Sequence, residues 1–478
     1  MDKLNAFAMA LMRFFLLIII CINVYALPTY SRQTGYACDK CHVGNFDLTS
    51  FGRSFKLLAY QLTNNPKNIP ISFSAVISQT HINSRSSSLA PDVSLPKNDA
   101  VIFESGTVYL AGRYLEHVGG DINFTLNKAN INPIYASDGV QIGTHVGSDF
   151  FLDRSQIRFI NKDTNDQLIN VGATINNAPG VQDPWLNVSK SDFLFQTSGL
   201  QDAWEIGQFG PATQIDGSLD SQVTGISLFG IFNKHWYLEL TDYGNFHDQK
   251  TIFQLSGPRN TFHTNYNPYW RFAVFKDDAN ESHEFGFFGM ATRLGRDIYI
   301  PGSAGALYND YGIDTKHMWS VKKYHFIFKS TIIQENMQWG YRSVGRSHDN
   351  QNSSLNTARA MMTVDYDQQM GISGFVFRTD GSTDKLYYAY NQNQSVVTGA
   401  CNQNNSLLAY CSINGSPKTT GGGFEIYYSP YTWMRLVLQE TFYTSFLGGG
   451  TFIDNTSGNL RSASDNNLTY IYTVLNFW

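Results

Sequence analysis

The sequence predicts an all-β transmembrane barrel of about 16 antiparallel strands, with a small α-helical N-terminal segment that plugs its lumen. Three observations lead to this fold class. The 478 residues are only 15% charged but 14% aromatic. After the N-terminus, no apolar run approaches the roughly 18 residues of a membrane helix. From residue 71 onward, strand-like segments of alternating polarity follow one another in a regular rhythm. The net charge of -5 lacks the basic footprint of nucleic-acid binding, so no nucleic-acid partner is expected.

Residues 1–26 are predicted to be a secretory signal peptide. Lys3 and Arg13 supply positive charge, and an apolar core too short to span a bilayer runs from Phe14 to Val24. Val24-Tyr25-Ala26 then provides the small-x-small pattern of a cleavage site. The alternative is a retained membrane anchor. Export implies an oxidising compartment for the mature chain.

The motif Cys38-Asp39-Lys40-Cys41-His42 follows shortly after the predicted signal peptide. It is the C-x-x-C-H signature of c-type haem attachment. One tight turn presents both thiols to the two vinyl groups of a haem and directs the histidine at the iron. The alternatives are a redox dithiol, half of a zinc site or a chance occurrence of the motif, but no second Cys/His pair at zinc-finger spacing lies nearby. Residues 27–66 are therefore assigned to a monohaem cytochrome c segment. Cys38 and Cys41 are its thioether attachments, and His42 is the proximal ligand of the haem iron.

An amphipathic helix is expected over residues 48–63, covering one face of the haem. Arg53 and Lys56 on this helix could neutralise haem propionates, and a solvated or wall-paired role is the alternative. Apolar residues recur at helical spacing, and an Asn-Asn-Pro sequence ends the pattern. These residues are Phe51, Phe55, Leu58 and Leu62, followed by Asn64-Asn65-Pro66.

The second axial ligand of the haem is missing from the N-terminal segment. A six-coordinate cytochrome needs a second ligand, usually His or Met, and residues 27–66 contain no methionine and no histidine other than His42. The ligand must come from residue 67 onward, be another residue type, or be absent. Ten scattered histidines and methionines such as Met290 and Met318 are the candidates, and the sequence does not choose among them.

Residues 67–478 are predicted to form a porin-like barrel of the bacterial outer membrane. Segments of about ten residues, rich in aromatic and β-branched types, alternate with period two. Sixteen strands are expected near residues 71–79, 101–115, 121–129, 154–162, 166–175, 222–232, 235–244, 268–276, 282–292, 307–320, 324–336, 358–367, 370–379, 421–429, 432–444 and 467–478.

Short and long gaps alternate between these segments, which puts short turns at one end of the barrel and long loops at the other. This asymmetry, together with an even strand count, is typical of outer-membrane barrels and places both termini in the periplasm. A soluble sandwich or propeller is the alternative, although no internal repeat of propeller length is present. The short gaps are Asn233-Lys234, Lys322-Lys323, Gln368-Gln369, Ser429-Pro430-Tyr431 and Lys162-Asp163-Thr164-Asn165; the long ones are 80–100, 130–153, 176–221, 337–357, 380–420 and 445–466.

Cys401 and Cys411 lie ten residues apart in the long loop 380–420. In an exported protein, a structural disulfide that closes this loop is the expected interpretation, and metal binding is the weaker alternative.

The N-terminal segment resembles a known family, the outer-membrane cytochrome–porin fusions of iron-oxidising bacteria. The resemblance is dense over residues 33–60 and only architectural over the barrel. Lys40 and Ala59 depart from it, at places where a small residue and a glycine are expected. The matching residues are Gln33-Thr34-Gly35, Cys38, Cys41, His42, Phe46, Leu48, Phe51-Gly52-Arg53, Phe55-Lys56 and Tyr60.

This resemblance implies an oxidoreductase that carries one covalent haem c and takes electrons from extracellular Fe(II). The electrons would pass to a periplasmic cytochrome c or blue-copper protein, with outer-membrane lipid around the barrel. Two alternatives stay open. One is a porin or solute channel whose haem segment gates or stabilises the pore. The other is an electron conduit for a different extracellular donor or acceptor.

Overall fold

The computed structural model describes most of the mature chain. The predicted signal peptide, the predicted helix stop at Asn64-Asn65-Pro66, and Cys401 lie outside the described residues. The described residues are 28–44, 46–61, 70–84, 98–135, 141–161, 168–181, 183–194, 196–199, 208–221, 223–244, 266–294, 306–340, 348–389, 410–454 and 459–477.

Sixteen antiparallel strands close into a barrel, because the last strand pairs with the first. The fourth strand is interrupted at residues 153–155, and both of its parts pair with the third strand. The strands are β1 (Ile71–Ile82), β2 (Val101–Leu115), β3 (Val118–Tyr135), β4 (Gln141–Leu152 and Gln156–Ile160), β5 (Ile169–Asn176), β6 (Thr224–Phe232), β7 (Trp236–Gly244), β8 (Pro268–Asp277), β9 (Glu281–Leu294), β10 (Ala306–Val321), β11 (Tyr324–Gln338), β12 (Asn352–Tyr366), β13 (Met370–Gly381), β14 (Thr419–Tyr431), β15 (Met434–Ser445) and β16 (Leu468–Phe477).

The predicted fold class and strand count are therefore confirmed, but two predicted gaps are wrong. The loop expected at 130–153 is mostly strand, since β3 reaches Tyr135 and β4 begins at Gln141. Backbone hydrogen bonds continue the β3–β4 hairpin past the point where apolar and polar residues stop alternating along the sequence. That alternation is the pattern by which a strand is predicted. Ser429-Pro430-Tyr431 belongs to β14, which has an irregular register there, and the turn falls at residues 432–433.

Tight turns join the strands at one end of the barrel. Asn233 and Lys234 adopt positive φ angles of 50° and 61°, and Asp367 and Gln368 adopt 55° and 57°. Such left-handed pairs match the twist of hairpin strands. The strand count is even, so β1 begins and β16 ends at this short-turn end.

The two faces of the barrel wall differ sharply in polarity. Along β7, Leu238 and Leu240 on the outer face are exposed, whereas Tyr237, Glu239 and Thr241 on the inner face are buried. The same alternation recurs along β9 and β13. An apolar outside around a polar inside is the pattern of a wall that faces lipid. Among the helices of the described residues, none is long and apolar enough to cross a membrane.

The N-terminal segment lies inside the barrel. It contains helix α1 (Pro28–Thr34), a short turn at Cys38–Lys40, a hairpin of His42–Val43 with Asp47–Leu48, and helix α2 (Ser50–Leu57). The expected helix 48–63 is thus too long. The chain leaves α2 through Ala59 and Tyr60, whose φ angles are 53° and 61°, so a left-handed termination ends the helix earlier than the apolar spacing indicates.

The described residues between β5 and β6 also enter the lumen, and we call these residues (177–181, 183–194, 196–199, 208–221 and 223) the inward loop. Its Trp185, Val188 and Phe193 are fully buried. Trp185 Nε1 donates to Asp314 of β10 at 2.8 Å, and the Asn187 side chain donates to the backbone carbonyls of Thr315 and Ser330. On the opposite side of the barrel, the Gly199 N–H donates to Glu104 of β2 at 2.7 Å, and the Ser198 hydroxyl lies 2.7 Å from that of Thr80 of β1. The described residues of the inward loop therefore contact the wall on both sides of the lumen.

Arg271 is the central cation of the inward-loop contact. Its guanidinium is fully buried between Asp183 of the inward loop, at 3.1 Å, and Asp314 of β10, at 2.7 Å. It also lies 5.0 Å from the Trp185 ring. One cation thus neutralises carboxylates from both the loop and the wall.

Outside the barrel opening, loop segments form a small three-stranded sheet of Tyr410–Cys411, Thr451–Asp454 and Leu460–Ser462. Cys411 is fully buried in it and disulfide-bonded. Because Cys401 lies outside the described residues, its pairing with Cys411 stays a prediction.

We expect Arg271→Met to destabilise the barrel by about 3–5 kcal/mol, because two buried carboxylates lose the cation that they share. The measurement is the temperature at which the barrel unfolds in detergent. Arg378→Met is the matched control, since Arg378 is 61% exposed beside Asp380 and such pairs contribute only about 0–1 kcal/mol. Equal unfolding temperatures for the two variants would contradict the structural role of Arg271.

Candidate functional site

The two motif cysteines lie at either end of one tight turn. The Cys41 N–H donates to the Cys38 carbonyl at 3.1 Å, which closes the turn. Neither thiol is disulfide-bonded and both are partly exposed, and burial raises the pKa of the Cys41 thiol to about 11. One turn therefore carries both thiols, as the motif predicts.

His42 follows the turn with its imidazole ring oriented by the backbone. Its Nδ1 lies 2.9 Å from the Phe46 carbonyl oxygen, and an Nδ1–H donated to that oxygen leaves Nε2 to bind iron. Burial lowers the pKa of His42, which favours the neutral imidazole that metals bind. The hairpin between Val43 and Asp47 thus holds the histidine in a metal-binding orientation.

Helix α2 packs directly on the cysteine turn. Thr49 caps the helix by accepting from the Gly52 N–H at 3.1 Å, and its hydroxyl donates to the Lys40 carbonyl. A Cβ atom on Gly52 would lie 2.1 Å from the Cys41 carbonyl oxygen. Only glycine allows this approach, so Gly52 sets the distance between the helix and the C-x-x-C-H turn.

Asp47 anchors the hairpin to the barrel wall. Its carboxylate is buried between Lys316 of β10, at 3.4 Å, and Lys329 of β11, at 3.3 Å. Burial alone would raise the pKa of Asp47, but Lys329 and Lys316 hold it below its ordinary value. Lys316 also donates to the Leu48 carbonyl. The hairpin is thus fixed by charge-assisted contacts to two neighbouring strands.

Arg435 is a third cation of the barrel wall that contacts the hairpin. Arg435 of β15 donates to the Gly44 carbonyl at 2.9 Å and stacks over the Phe46 ring at 4.5 Å. Phe46 is the residue whose carbonyl holds His42, so the wall positions the histidine through one intermediate residue.

Arg53 has the wall-paired role rather than an exposed one. Its fully buried guanidinium contacts Asp277 of β8 and Glu284 of β9 and lies 4.1 Å from the Phe275 ring. Protein groups therefore engage both sides of the guanidinium. The contact with a haem propionate is not seen and stays a prediction.

Lys56 joins the N-terminal segment to the inward loop. Its Nζ donates to the carbonyls of Val181 at 2.9 Å and Asp183 at 2.6 Å. Burial lowers the pKa of Lys56 to about 7, since no carboxylate accepts its proton directly in these contacts. This contact is again the wall-paired alternative, and a propionate contact of Lys56 likewise stays a prediction.

The structure narrows the candidates for the second axial ligand among the described residues. Met318 of β10 and His325 of β11 lie on the inner face of the barrel near the short turns. Met318 is paired with Ile327, whose side chain borders Gly44 of the hairpin. Met290 is buried farther from that end, in a cluster with Tyr269. His317 contacts His283, which shares its face of the sheet. Met318, His325 and Met361, which is paired with Lys329, are thus inward-facing candidates near the hairpin along the wall.

The residues present fit a covalently bound haem. Two thiols that are not disulfide-bonded share one turn, and the following histidine has its Nδ1 hydrogen-bonded to a carbonyl. Within the described part of the chain, no group of three or more His, Cys, Asp or Glu side chains could hold a metal ion.

Sequence reasoning missed the wall residues that seat the N-terminal segment. These residues lie within strands, at positions in phase with the inner face: Lys316, Lys329, Arg435 and Glu284. A charged side chain there must find a partner in the lumen. The sequence alone shows that these charged residues fall on the inner face of their strands. It does not show which residue each of them pairs with.

Comparison with protein families finds no matching family model, and comparison with curated proteins finds no match. Several solved structures are similar in shape. A loop-deletion mutant of OmpT, an outer membrane protein of Vibrio cholerae, is 7% identical; the match covers 85% of this chain and 99% of that chain, with a TM-score of 0.42. An anion-selective porin from Comamonas acidovorans is 8% identical, covering 85% and 98%, with a TM-score of 0.43. OprB of Pseudomonas putida is 8% identical, covering 85% and 94%, with a TM-score of 0.43. At such low identity, none of these proteins indicates what this chain binds.

We expect Gly52→Ala to reduce covalent haem in the purified protein severalfold, because the added methyl group forces α2 away from the cysteine turn. Overpacking of this kind costs about 1–3 kcal/mol. Haem per chain is measured by its absorbance after denaturation. Gly374→Ala is the control, since a Cβ at Gly374 meets nothing within 4 Å. An unchanged haem content in Gly52→Ala would contradict the packing role of Gly52.

Lys56 also predicts a pH dependence of stability. With a pKa of about 7 in the folded protein and an ordinary value of 10.5, the unfolded chain holds the proton between these values and the folded chain does not. Stability contributed by Lys56 therefore rises with pH across this window. The unfolding temperature of the wild type, relative to that of Lys56→Met, should increase from pH 7 to pH 10. A difference that is constant or shrinks would contradict the lowered pKa.

Proposed function

We propose that this protein is an outer-membrane electron conduit that oxidises extracellular Fe(II) through one covalently bound haem c and passes electrons to periplasmic carriers. The observation that carries the proposal is the position of the C-x-x-C-H turn. It belongs to a segment docked inside a closed barrel, at the end where the tight turns lie. A redox group held there would stand within the thickness of the membrane.

The outer membrane is the location that the barrel favours. Its outer face is apolar, its inner face is polar and charged, and its short turns and long loops lie at opposite ends. We infer that the short-turn end, with both barrel termini, faces the periplasm.

Each part of the N-terminal segment has a role in this proposal. Cys38 and Cys41 form the two thioethers, and His42 is the proximal ligand, oriented by the Phe46 carbonyl. Asp47 and Arg53 fix the segment against the wall. When bound, a c-type haem supplies a one-electron Fe(III)/Fe(II) couple, and its potential depends on the axial ligands and on burial.

The inward loop and the N-terminal segment restrict passage through the lumen. Trp185, Phe193 and Phe209 of the loop are buried against the barrel wall, and Lys56 bonds the segment to the loop. Solutes and Fe(III) are thereby hindered from crossing, so Fe(III) formed by the oxidation stays outside.

The periplasmic side of the proposal rests on exposed residues of the cysteine turn. Tyr36, Asp39 and Lys40 are exposed, and Gln368, in a short turn, lies 3.4 Å from the Asp39 carbonyl. This places the motif beside the short-turn rim. A periplasmic cytochrome c or blue-copper protein would dock there.

A second candidate function is a solute channel, which the closed sixteen-strand barrel itself favours. In that case the haem segment gates or stabilises the pore. A conduit for a different extracellular donor or acceptor would use the same architecture.

We expect Fe(II) to produce the absorption bands of reduced c-type haem when it is added outside liposomes that contain the purified protein. A Cys38→Ser/Cys41→Ser variant should have no covalent haem and show no bands. Dithionite, a strong reductant, serves as the control that shows whether the haem can be reduced. A haem that dithionite reduces but excess Fe(II) leaves oxidised would rule out iron oxidation. Uptake of small sugars by wild-type liposomes without Fe(II)-dependent reduction would instead favour the channel.

A further inference from the structure

The N-terminal segment does not cover a small patch of the inner wall beside the short turns. Met318 and Ser320 of β10 and His325 of β11 face the lumen there, and all three are only half-buried. Their partners in the flanking strands are covered: Ser282 of β9, paired with Met318, is 6% exposed, and Asp365 of β12, paired with His325, is 0% exposed. We call Met318, Ser320 and His325 the uncovered patch.

The C-x-x-C-H motif and the hairpin after it contact the wall along the border of the uncovered patch. Gln368, three residues after the strand partner of His325, donates to the Asp39 carbonyl at 3.4 Å. Ile327, two residues after His325 on the same face of β11, borders Gly44 of the hairpin. The turn that carries both thiols therefore lies at the height of His325, beside the short turns.

The imidazole of His325 is held in the way that metal-binding histidines are held. Its Nδ1 lies 2.8 Å from the Ser320 hydroxyl oxygen, across the β10–β11 pair. An Nδ1–H donated to that oxygen leaves Nε2 as the atom that binds a metal. His42 has the same arrangement, with its Nδ1 against the Phe46 carbonyl. One histidine of the segment and one of the wall thus both present Nε2.

The two methionines near the hairpin are less suited to bind the haem iron. Met361 is 1% exposed and packs in a core cluster with Phe375, so other side chains enclose its sulfur. Met318 lies at the height where the hairpin itself presses against the wall. His325 is one inward-facing position nearer the short turns, at the height of the thiols.

We propose that His325 is the second axial ligand of the haem iron, with His42 as the first. This inference rests on the covalent haem of the proposed function and adds the ligand that the N-terminal segment lacks. The segment supplies two thioethers and one imidazole, and the barrel wall supplies the other imidazole. Two imidazole ligands give a lower reduction potential than one imidazole and one methionine, so the wall contributes to the potential as well as to the docking.

The test uses the full-length protein in detergent, oxidised and without Fe(II). Covalent haem is counted by its absorbance after denaturation, and the spin state of the iron is read by electron paramagnetic resonance. We expect low-spin haem in the wild type and in Met318→Leu, and loss of the low-spin signal in His325→Ala. Imidazole added to His325→Ala should restore that signal, because it can take the place of the deleted ring. A purely structural role of His325 would not give this rescue.

If His325→Ala fails to fold, His325→Met serves instead, because methionine is similar in size and also binds haem iron. It should keep a low-spin haem and raise the midpoint potential in a redox titration.

The outcomes separate this inference from the proposed function. A low-spin signal that persists in His325→Ala without imidazole, or that is lost in Met318→Leu or Met361→Leu, would overturn the assignment of His325. High-spin haem in the wild type would overturn it as well, and in each of these cases the covalent haem remains. A wild-type chain without covalent haem would overturn both this inference and the proposed function.

Discussion

Closure of the sheet is the constraint on which the rest of the structure depends. A strand that faces lipid has no water to satisfy its backbone, so every N–H and C=O group must pair with a neighbouring strand. The pairing of β16 with β1 removes the last free edge. Closure also creates an interior that is shielded from bulk water, and charged side chains such as Lys316 and Arg271 then require partners within it. The N-terminal segment and the inward loop supply those partners, as Asp47 and Asp183 show.

The lumen is therefore filled by two separate pieces of chain that meet each other. One enters before β1 and carries the C-x-x-C-H turn; the other connects β5 and β6. Lys56 joins them through backbone carbonyls rather than through a carboxylate. The contact between the two pieces thus consists of hydrogen bonds to neutral carbonyls, whereas the contacts of each piece with the wall include ion pairs. The wall thus determines where each piece lies, and Lys56 links one piece to the other.

The sequence predicted the barrel, most strand positions and the tight turn at the cysteine motif, because each depends on local periodicity or on fixed spacing. It did not predict that the chain between β5 and β6 folds into the lumen. A long polar segment between two strands does not show whether the chain extends outward or folds inward. The buried Trp185 and Phe193 within that gap were the available signal. The helix end at Ala59 was also missed, since alanine rarely adopts a left-handed backbone. The same conformation explains why a glycine is the residue expected there. Partners such as Asp47 with Lys329, 282 positions apart, depend on the folded barrel alone.

The burial of Arg53 has a consequence for the order in which this protein assembles. Its guanidinium is enclosed by carboxylates of β8 and β9, and the inward loop crosses the lumen beyond the segment. A charged side chain does not reach such a place through a finished, lipid-embedded wall. The N-terminal segment must enter through the open end that carries the short turns, or be enclosed as β16 meets β1. By either route the cysteine turn remains at that open end, where both thiols are partly exposed.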